Sequence, residues 1–224
     1  MKLSTETLNV LKNFSAINEG IEFKKGNTLK TMSSGKTVLA EASLKDSFTD
    51  EFCVDDLNEF LQVHALFDNK AELVFDDHNI NFKNGRQSVK YRKTAKNMIV
   101  TPPEKALTLP TEDVKFTLTA EDYDWVIKTA KVLSSTHIAV QSDGEKVEII
   151  TFNADIDTAH VNSIQIGDGD GKKYKAVFNI DNMKLIPGAY EVIICFKGLS
   201  NFKNAKGDIQ YWIATEAKHS KFGV

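Results

Sequence analysis

Gly35-Lys36-Thr37 is the first place in this 224-residue chain where residue types and spacing suggest chemistry. A Gly-Lys-Thr ending belongs to phosphate-binding loops, whose backbone N–H groups cradle phosphates at a helix N-terminus. That loop also needs a leading glycine at position 30, which is Lys30, and the segment sits among strand-like runs. A hairpin turn is the better reading. Asp168-Gly169-Asp170-Gly171 hints at calcium, but the fifth position of an EF-hand loop would be Lys172 and the twelfth Asn179, where a bidentate Glu is required. It reads as a turn. His64, His78, His137, His160 and His219 are scattered, with no Cys/His cluster at zinc spacing. Cys53 and Cys195 stand far apart and read as buried free thiols. Asp55-Asp56 and Asp76-Asp77 fall at a helix start and a turn, where capping explains them. The sequence therefore assigns no catalytic residue, no metal and no cofactor, and predicts a protein that is not an enzyme.

The elements that carry these residues form a repeat. Leu3-Ser4-Thr5-Glu6-Thr7-Leu8 and Leu118-Thr119-Ala120-Glu121-Asp122-Tyr123 each place a Ser or Thr ahead of early acids, which is a helix start. Leu8, Leu11, Phe14 and Ile17 then recur near helical period, as do Tyr123, Val126, Ile127, Ala130 and Leu133. Strand-like runs follow each helix. In the first half they are 20–25, 28–32 and 37–44, with turns at Gly26-Asn27 and Ser33-Ser34-Gly35. In the second they are 137–141, 146–152 and 158–166, the first two joined by Asp143-Gly144, a hairpin signal. A second block matches Phe52-Cys53-Val54-Asp55-Asp56-Leu57 with Phe178-Asn179-Ile180-Asp181-Asn182-Met183, and predicts short helices over 55–66 and 181–185. Runs at 71–75, 79–83 and 87–92 match 190–196, 199–202 and 208–214. Both halves read helix, strands, helix, strands. Pro102-Pro103 and Pro110 mark a semi-rigid connector, giving domains 1–105 and 106–224.

Composition sets the frame for this α+β reading. Hydrophobic residues at 42% and charged residues at 26% are globular values. No apolar run approaches the roughly 20 residues of a membrane span. Met1-Lys2-Leu3-Ser4-Thr5-Glu6 has an early acid and no apolar core, which predicts no secretion signal. A formal net charge of −3 argues against gripping nucleic acid by bulk charge.

Several blocks in register resemble the sliding clamps of T-even-type phages. They are Met1-Lys2-Leu3-Ser4, Leu11-Lys12-Asn13-Phe14, Ile17-Asn18-Glu19-Gly20-Ile21, Asp56-Leu57-Asn58-Glu59-Phe60-Leu61 and 182–190 from Asn182 to Tyr190. The resemblance runs to about Glu216. It implies a DNA polymerase processivity factor: a homotrimeric ring around duplex DNA, each subunit holding two similar DNA-clamp domains with antiparallel sheets outside and helices lining the inner face. It also implies loading by an ATP-dependent clamp loader, tethering of the replicative DNA polymerase, a platform for late-transcription factors, and a site of action in the cytoplasm of an infected bacterial host, with no membrane partner. The basic stretch from Lys90 to Lys96, the connector and the tail 218–224 match the family poorly.

A sliding ring must hold DNA without gripping it, because each neutralised phosphate adds affinity and each base contact adds sequence preference. A few lysines on helix faces suit that task. Lys128 and Lys131 lie opposite Val126, Ile127 and Ala130 on the second domain's first helix; Lys12 and Asn13 lie on the polar face of the first; Lys184 falls in the predicted 181–185 helix. These five are the DNA-facing candidates. The strand 209–214 puts Trp212 and Ala214 on the face opposite Ile209, Tyr211 and Ile213, and that face together with Leu107, Leu109 and Pro110 of the connector is the candidate partner-binding surface. A Trp212 covered by the chain itself is the competing reading. The alternatives for the whole chain are a two-domain protein-interaction adaptor that forms no ring, and an enzyme with an unrecognised cleft.

Overall fold

The computed structural model describes residues 1–156 and 158–223. Its contacts divide the chain into two compact units, Met1–Lys105 and Ala106–Val224, the last residue of which lies outside the description. Both are α+β.

In the first unit, α1 (Thr5–Ile17) begins where the Ser4 hydroxyl accepts from the Thr7 N–H at 3.2 Å, with Glu6 near the positive end of the helix dipole. Leu8, Leu11, Phe14 and Ile17 are its buried face, packed on β2 (Gly26–Met32) and β3 (Val38–Phe48). β2 and β3 pair antiparallel through the turn at Gly35-Lys36, where Ser33 Oγ accepts from the N–H groups of Thr37 and Val38. The tempting Gly-Lys-Thr is therefore a hairpin. β1 (Ile21–Phe23) pairs with β4 (Phe52–Val54), and α2 (Leu57–Ala65) follows, capped by Asp56 accepting from Glu59 N at 2.9 Å. The helix is shorter at both ends than 55–66, since Asp55 and Asp56 precede it. β5 (Glu72–Phe75), β6 (Asn79–Asn84) and β7 (Gln87–Arg92) complete a three-stranded antiparallel sheet. An aromatic cluster fills this unit: Phe60 lies 6.0 Å from Phe23, 5.1 Å from Phe82 and 5.9 Å from Tyr91 between ring centroids.

The second unit opens with β8 (Val114–Leu118), then α3 (Ala120–Val132), where Thr119 Oγ1 accepts from Asp122 N at 3.1 Å, repeating the Ser4 cap. α3 packs on β10 (Lys146–Phe152) and β11 (Asn162–Asp168). With β9 (His137–Asp143), β12 (Lys173–Asn179) and β16 (Lys221–Phe222), these form a sheet of order β11-β10-β9-β12-β16. A second antiparallel run is β8-β13-β14-β15, from β13 (Tyr190–Cys195), β14 (Leu199–Asn204) and β15 (Ile209–Ala214).

Four strands were not anticipated, β4, β8, β12 and β16, and β11 begins four residues later than the run from Thr158. The 181–185 helix is corrected to a single 3-10 turn, Ile180–Asn182. The next carbonyls are claimed elsewhere: Tyr123 Oη donates to Met183 O at 3.1 Å and Leu185 O at 3.3 Å, which holds this segment out of a helix.

The Asp168–Gly171 segment is a turn, and among the described residues no group of three or more His, Cys, Asp or Glu side chains is placed to hold a metal. It locks against the 143–145 hairpin: Gly169 N donates to Glu145 O at 2.7 Å and Gly171 N to Gly144 O at 3.0 Å. A Cβ at 169 would run into the Gly144 backbone carbonyl. Gly169→Ala should therefore cost about 1–3 kcal/mol, the usual range for overpacking, read as a lower denaturant midpoint with unchanged slope. An unshifted midpoint would refute the close approach.

A second consequence concerns acid. His64 is fully buried on α2; Nδ1 lies 3.3 Å from Asn69 Oδ1, and Nε2 has no hydrogen-bond partner among the described residues. Burial pushes its pKa below the ordinary histidine value. The folded state thus binds this proton less readily than the unfolded chain. The stability gained is fully present above the unfolded pKa of about 6.5 and is lost as pH falls below it towards the lowered folded value. Thermal melts from pH 7.5 to 5 should show a falling midpoint, with a shallower fall in His64→Leu. Identical slopes in both proteins would remove His64 as the cause.

Candidate nucleic-acid interface

The five candidate residues are placed as follows. Lys12 is exposed on α1, and Asn13 beside it is half-buried. Lys128 and Lys131 are exposed on the solvent face of α3, opposite the buried Tyr123, Val126 and Ala130. Lys184 is exposed in the irregular segment after the 3-10 turn, not on a helix. The hydrogen bonds from Tyr123 to Met183 and Leu185 nonetheless tie this segment to α3. Lys128, Lys131 and Lys184 are thereby carried by two neighbouring elements of one unit.

The electrostatics are mild. Lys128 Nζ pairs with Asp124 Oδ2 at 2.5 Å, one helical turn away, and both are largely exposed. Such a pair is worth only about 0.3–0.5 kcal/mol, so it steers the ammonium without committing it. A phosphate can compete for it. Acids fill the first turn of α3, Glu121 and Asp122, and Lys131 stands in the last. Each sign sits where the dipole favours it.

The sequence reasoning missed two residues on this face. Trp125 is 43% exposed and Val132 81% exposed. They stand seven positions apart, so they share the outward stripe of α3 with Lys128. The signal was present in the spacing, since neither belongs to the 123-126-130 core series.

The partner candidates divide. Leu107 and Leu109 are half-buried and Pro110 is exposed in a connector without regular structure. Trp212, by contrast, is only 7% exposed, and Ala214 is half-buried. The chain itself covers Trp212, so the indole is not an open docking surface. The start of the connector is pinned within the first unit by a small charge network. Glu104 accepts from Lys24 at 2.5 Å, Lys96 reaches Glu22 at 2.7 Å, and Asn18 Nδ2 donates to Val100 O at 3.2 Å. Beside it lies a cleft of about 170 Å³ lined by Lys24, Lys25, Lys30, Pro102, Pro103 and Glu104.

The basic stretch after Val89 is partly structural. Tyr91 is buried and donates to Asp56 O at 3.1 Å. Lys93 Nζ donates to Asp76 O at 2.6 Å and lies over the rings of Phe52 and Phe75. Lys96 is the ion-pair partner of Glu22. Lys90 and Arg92 point to solvent. Cys53 and Cys195 are buried free thiols.

Known proteins match along the whole chain. A family model described as DNA polymerase processivity factor matches residues 4–101, and one described as gp45 sliding clamp, C terminal, matches residues 115–217. The sliding clamp of Enterobacteria phage T4 is 31% identical over 97% of both chains. That of Vibrio phage KVP40 is 31% identical over 97% of this chain and all of its own. Among solved structures, A. fulgidus PCNA bound to the C-terminal region of FEN-1 superposes with a TM-score of 0.66 at 16% identity, covering 93% of this chain and 94% of that one. The Helicobacter pylori beta clamp bound to a DNA ligase peptide gives a TM-score of 0.71 at 12% identity, covering 97% of this chain and 65% of that one. At these identities the structural likeness speaks for the fold: two clamp-like domains built mostly of antiparallel sheet.

Proposed function

This chain belongs to the phage sliding-clamp family of DNA polymerase processivity factors, and from that premise we propose that three copies close into a ring that encircles and slides on duplex DNA. The observation that carries the reading is the repeated unit. Each half of the chain sets a hydroxyl-capped amphipathic helix against antiparallel strands, and the solvent faces of those helices carry isolated lysines in a chain whose formal net charge is −3. A few inward cations on an acidic body hold a polyanion weakly, and weak holding permits sliding. Lys12, Asn13, Lys128, Lys131 and Lys184 are the proposed DNA-facing residues.

In this reading the replicative DNA polymerase is tethered through a peptide docked near the connector, with Leu107, Leu109 and Pro110 as its contacts. The FEN-1 and ligase peptides on the PCNA and beta-clamp relatives are the precedent for such docking. Trp212 and Ala214 then support the docking surface from below, given the burial of Trp212. A closed ring cannot thread circular DNA unaided, which calls for an ATP-dependent clamp loader. A platform for late-transcription factors and action in the cytoplasm of the infected host complete the proposal. The chain's own part in all of this is binding and topology, not catalysis.

Retention on DNA tests the ring. Loaded onto nicked circular DNA, the protein should stay bound through a high-salt wash and slide off when the circle is cut. Equal loss from circular and linear DNA would sink the topological reading and return the chain to a protein-interaction adaptor.

A further inference from the structure

Trp125 stands on α3 with its side chain turned away from the buried Tyr123, Val126 and Ala130. The other tryptophan, Trp212, is buried in β15. Among the described residues no aromatic ring packs on Trp125 and no ammonium lies over it, whereas Phe52, Phe75 and Phe152 each take a lysine. An open indole on a helix face is a large apolar plane that its own chain leaves uncovered.

Its neighbours say what would cover it. Residues three, four and seven apart share a helix face, so Trp125, Lys128 and Val132 form one stripe with Lys131 at its border. At a rise of about 1.5 Å per residue, Lys128 and Lys131 stand roughly 4.5 and 9 Å beyond Trp125 along the axis. The acids Glu121 and Asp122 sit in the first turn, on the other side of the indole. The order along the helix is acids, ring, cations. Asp124 holds Lys128 only through an exposed pair, which a phosphate can displace. An aromatic plane beside cations that can follow a backbone is the composition of single-strand nucleic-acid sites. Bases in a duplex are stacked on one another and offer the indole no face, whereas unpaired bases do. A protein segment suits the stripe less well, because it would have to desolvate Glu121, Lys128 and Lys131 to cover two apolar side chains.

We propose that the Trp125 indole stacks on an unpaired base of single-stranded DNA while Lys128 and Lys131 take the neighbouring phosphates, so that α3 holds a single strand and lets duplex pass. The inference rests on the DNA-facing reading of α3 and not on ring closure, since one copy carries the whole contact. Stacking tolerates any sequence, because every base has a π face. It therefore adds no preferred stopping sequence. On duplex the same face offers only its lysines, the weak hold that sliding needs. Where duplex gives way to single-stranded template, the indole gains a partner and movement slows.

Fluorescence of the full chain tests it, because Trp125 is the exposed emitter and Trp212 the buried one. At about 50 mM salt, oligo(dT) of about 15 nucleotides should quench the exposed emission to saturation. Blunt duplex of the same length should bind at least about tenfold more weakly, the scale of one lost base stack. Trp125→Ala should lower the affinity for labelled oligo(dT), read by anisotropy, by about tenfold, and Trp125→Phe should recover part of it. Lys128→Gln with Lys131→Gln should keep the quenching at saturation and flatten the salt slope by about 1.4, at roughly 0.7 per phosphate contact on a single strand. All three sites are exposed, and circular dichroism checks that each variant has folded. Unquenched emission overturns the proposal, as does equal binding of duplex, or a folded Trp125→Ala variant that binds oligo(dT) like the natural chain. If that variant instead loses self-association on sedimentation, the stripe is a protein contact. Retention on circular duplex is read separately. Its loss with quenching intact overturns the ring alone, and retention without quenching overturns the stacking alone.

Discussion

With Lys12, Lys128, Lys131 and Lys184 all replaced by glutamate, DNA synthesis that depends on the clamp should lose at least about tenfold in processivity, on the scale expected when several phosphate contacts are removed and repulsion is added. The fold should survive. All four ammonium groups are exposed, and the helix cores beneath them, Leu8, Leu11 and Phe14 in α1 and Tyr123, Val126 and Ala130 in α3, are untouched. Lys128→Glu also places a glutamate beside Asp124, exchanging a favourable pair at 2.5 Å for a repulsive one, so a small loss of α3 stability is expected. The measurement is product length in a primer-extension assay, with a melting curve on the same protein. Full-length products from the folded variant would remove these lysines from the DNA path. Salt sharpens the test. If the lysines act through the phosphate field, their removal flattens the dependence of loading on ionic strength. If they only shape α3, the slope stays as it was.

Total charge is the wrong quantity for this question. The formal −3 excludes a protein that binds DNA as a basic block, and it is compatible with one that carries a few cations where DNA passes. The same distinction separates what could be read from the sequence and what could not. Ser4 and Thr119 were legible as helix caps because capping is local: a side-chain oxygen three residues from the N–H it serves. The Asp143-Gly144 hairpin and the Gly35 turn were legible for the same reason. β12 was not, because Lys173-Tyr174-Lys175-Ala176-Val177-Phe178 becomes a strand through its position between β9 and β16, and the last three residues of that run are buried without alternation. The helix drawn over 181–185 failed through a partner about sixty residues away, the Tyr123 hydroxyl. Trp212 and Trp125 are the sharpest pair. The tryptophan singled out as a surface is buried, and the one passed over is exposed. The exposure of Trp125 follows from its place outside the 123-126-130 series, whereas the burial of Trp212 was decided by packing that no local pattern encodes.

Phe60→Ala is expected to be the most destabilising single replacement in the first unit. Phe60 is fully buried on α2 and touches three other aromatic rings, those of Phe23, Phe82 and Tyr91, each from a different strand. Removing the ring leaves a cavity that these large, interlocked neighbours cannot fill, so the cost should fall at about 3–5 kcal/mol. Against a typical domain stability of about 5–15 kcal/mol, that is roughly a fifth or more of what holds the unit together. The composition offers a clean readout, because both tryptophans, Trp125 and Trp212, lie in the second unit. Calorimetry should show a transition moved to lower temperature, while tryptophan emission reports only when the second unit melts. An unchanged calorimetric profile would show that the cluster tolerates the cavity, and would place the stability of this unit in the α1 face instead.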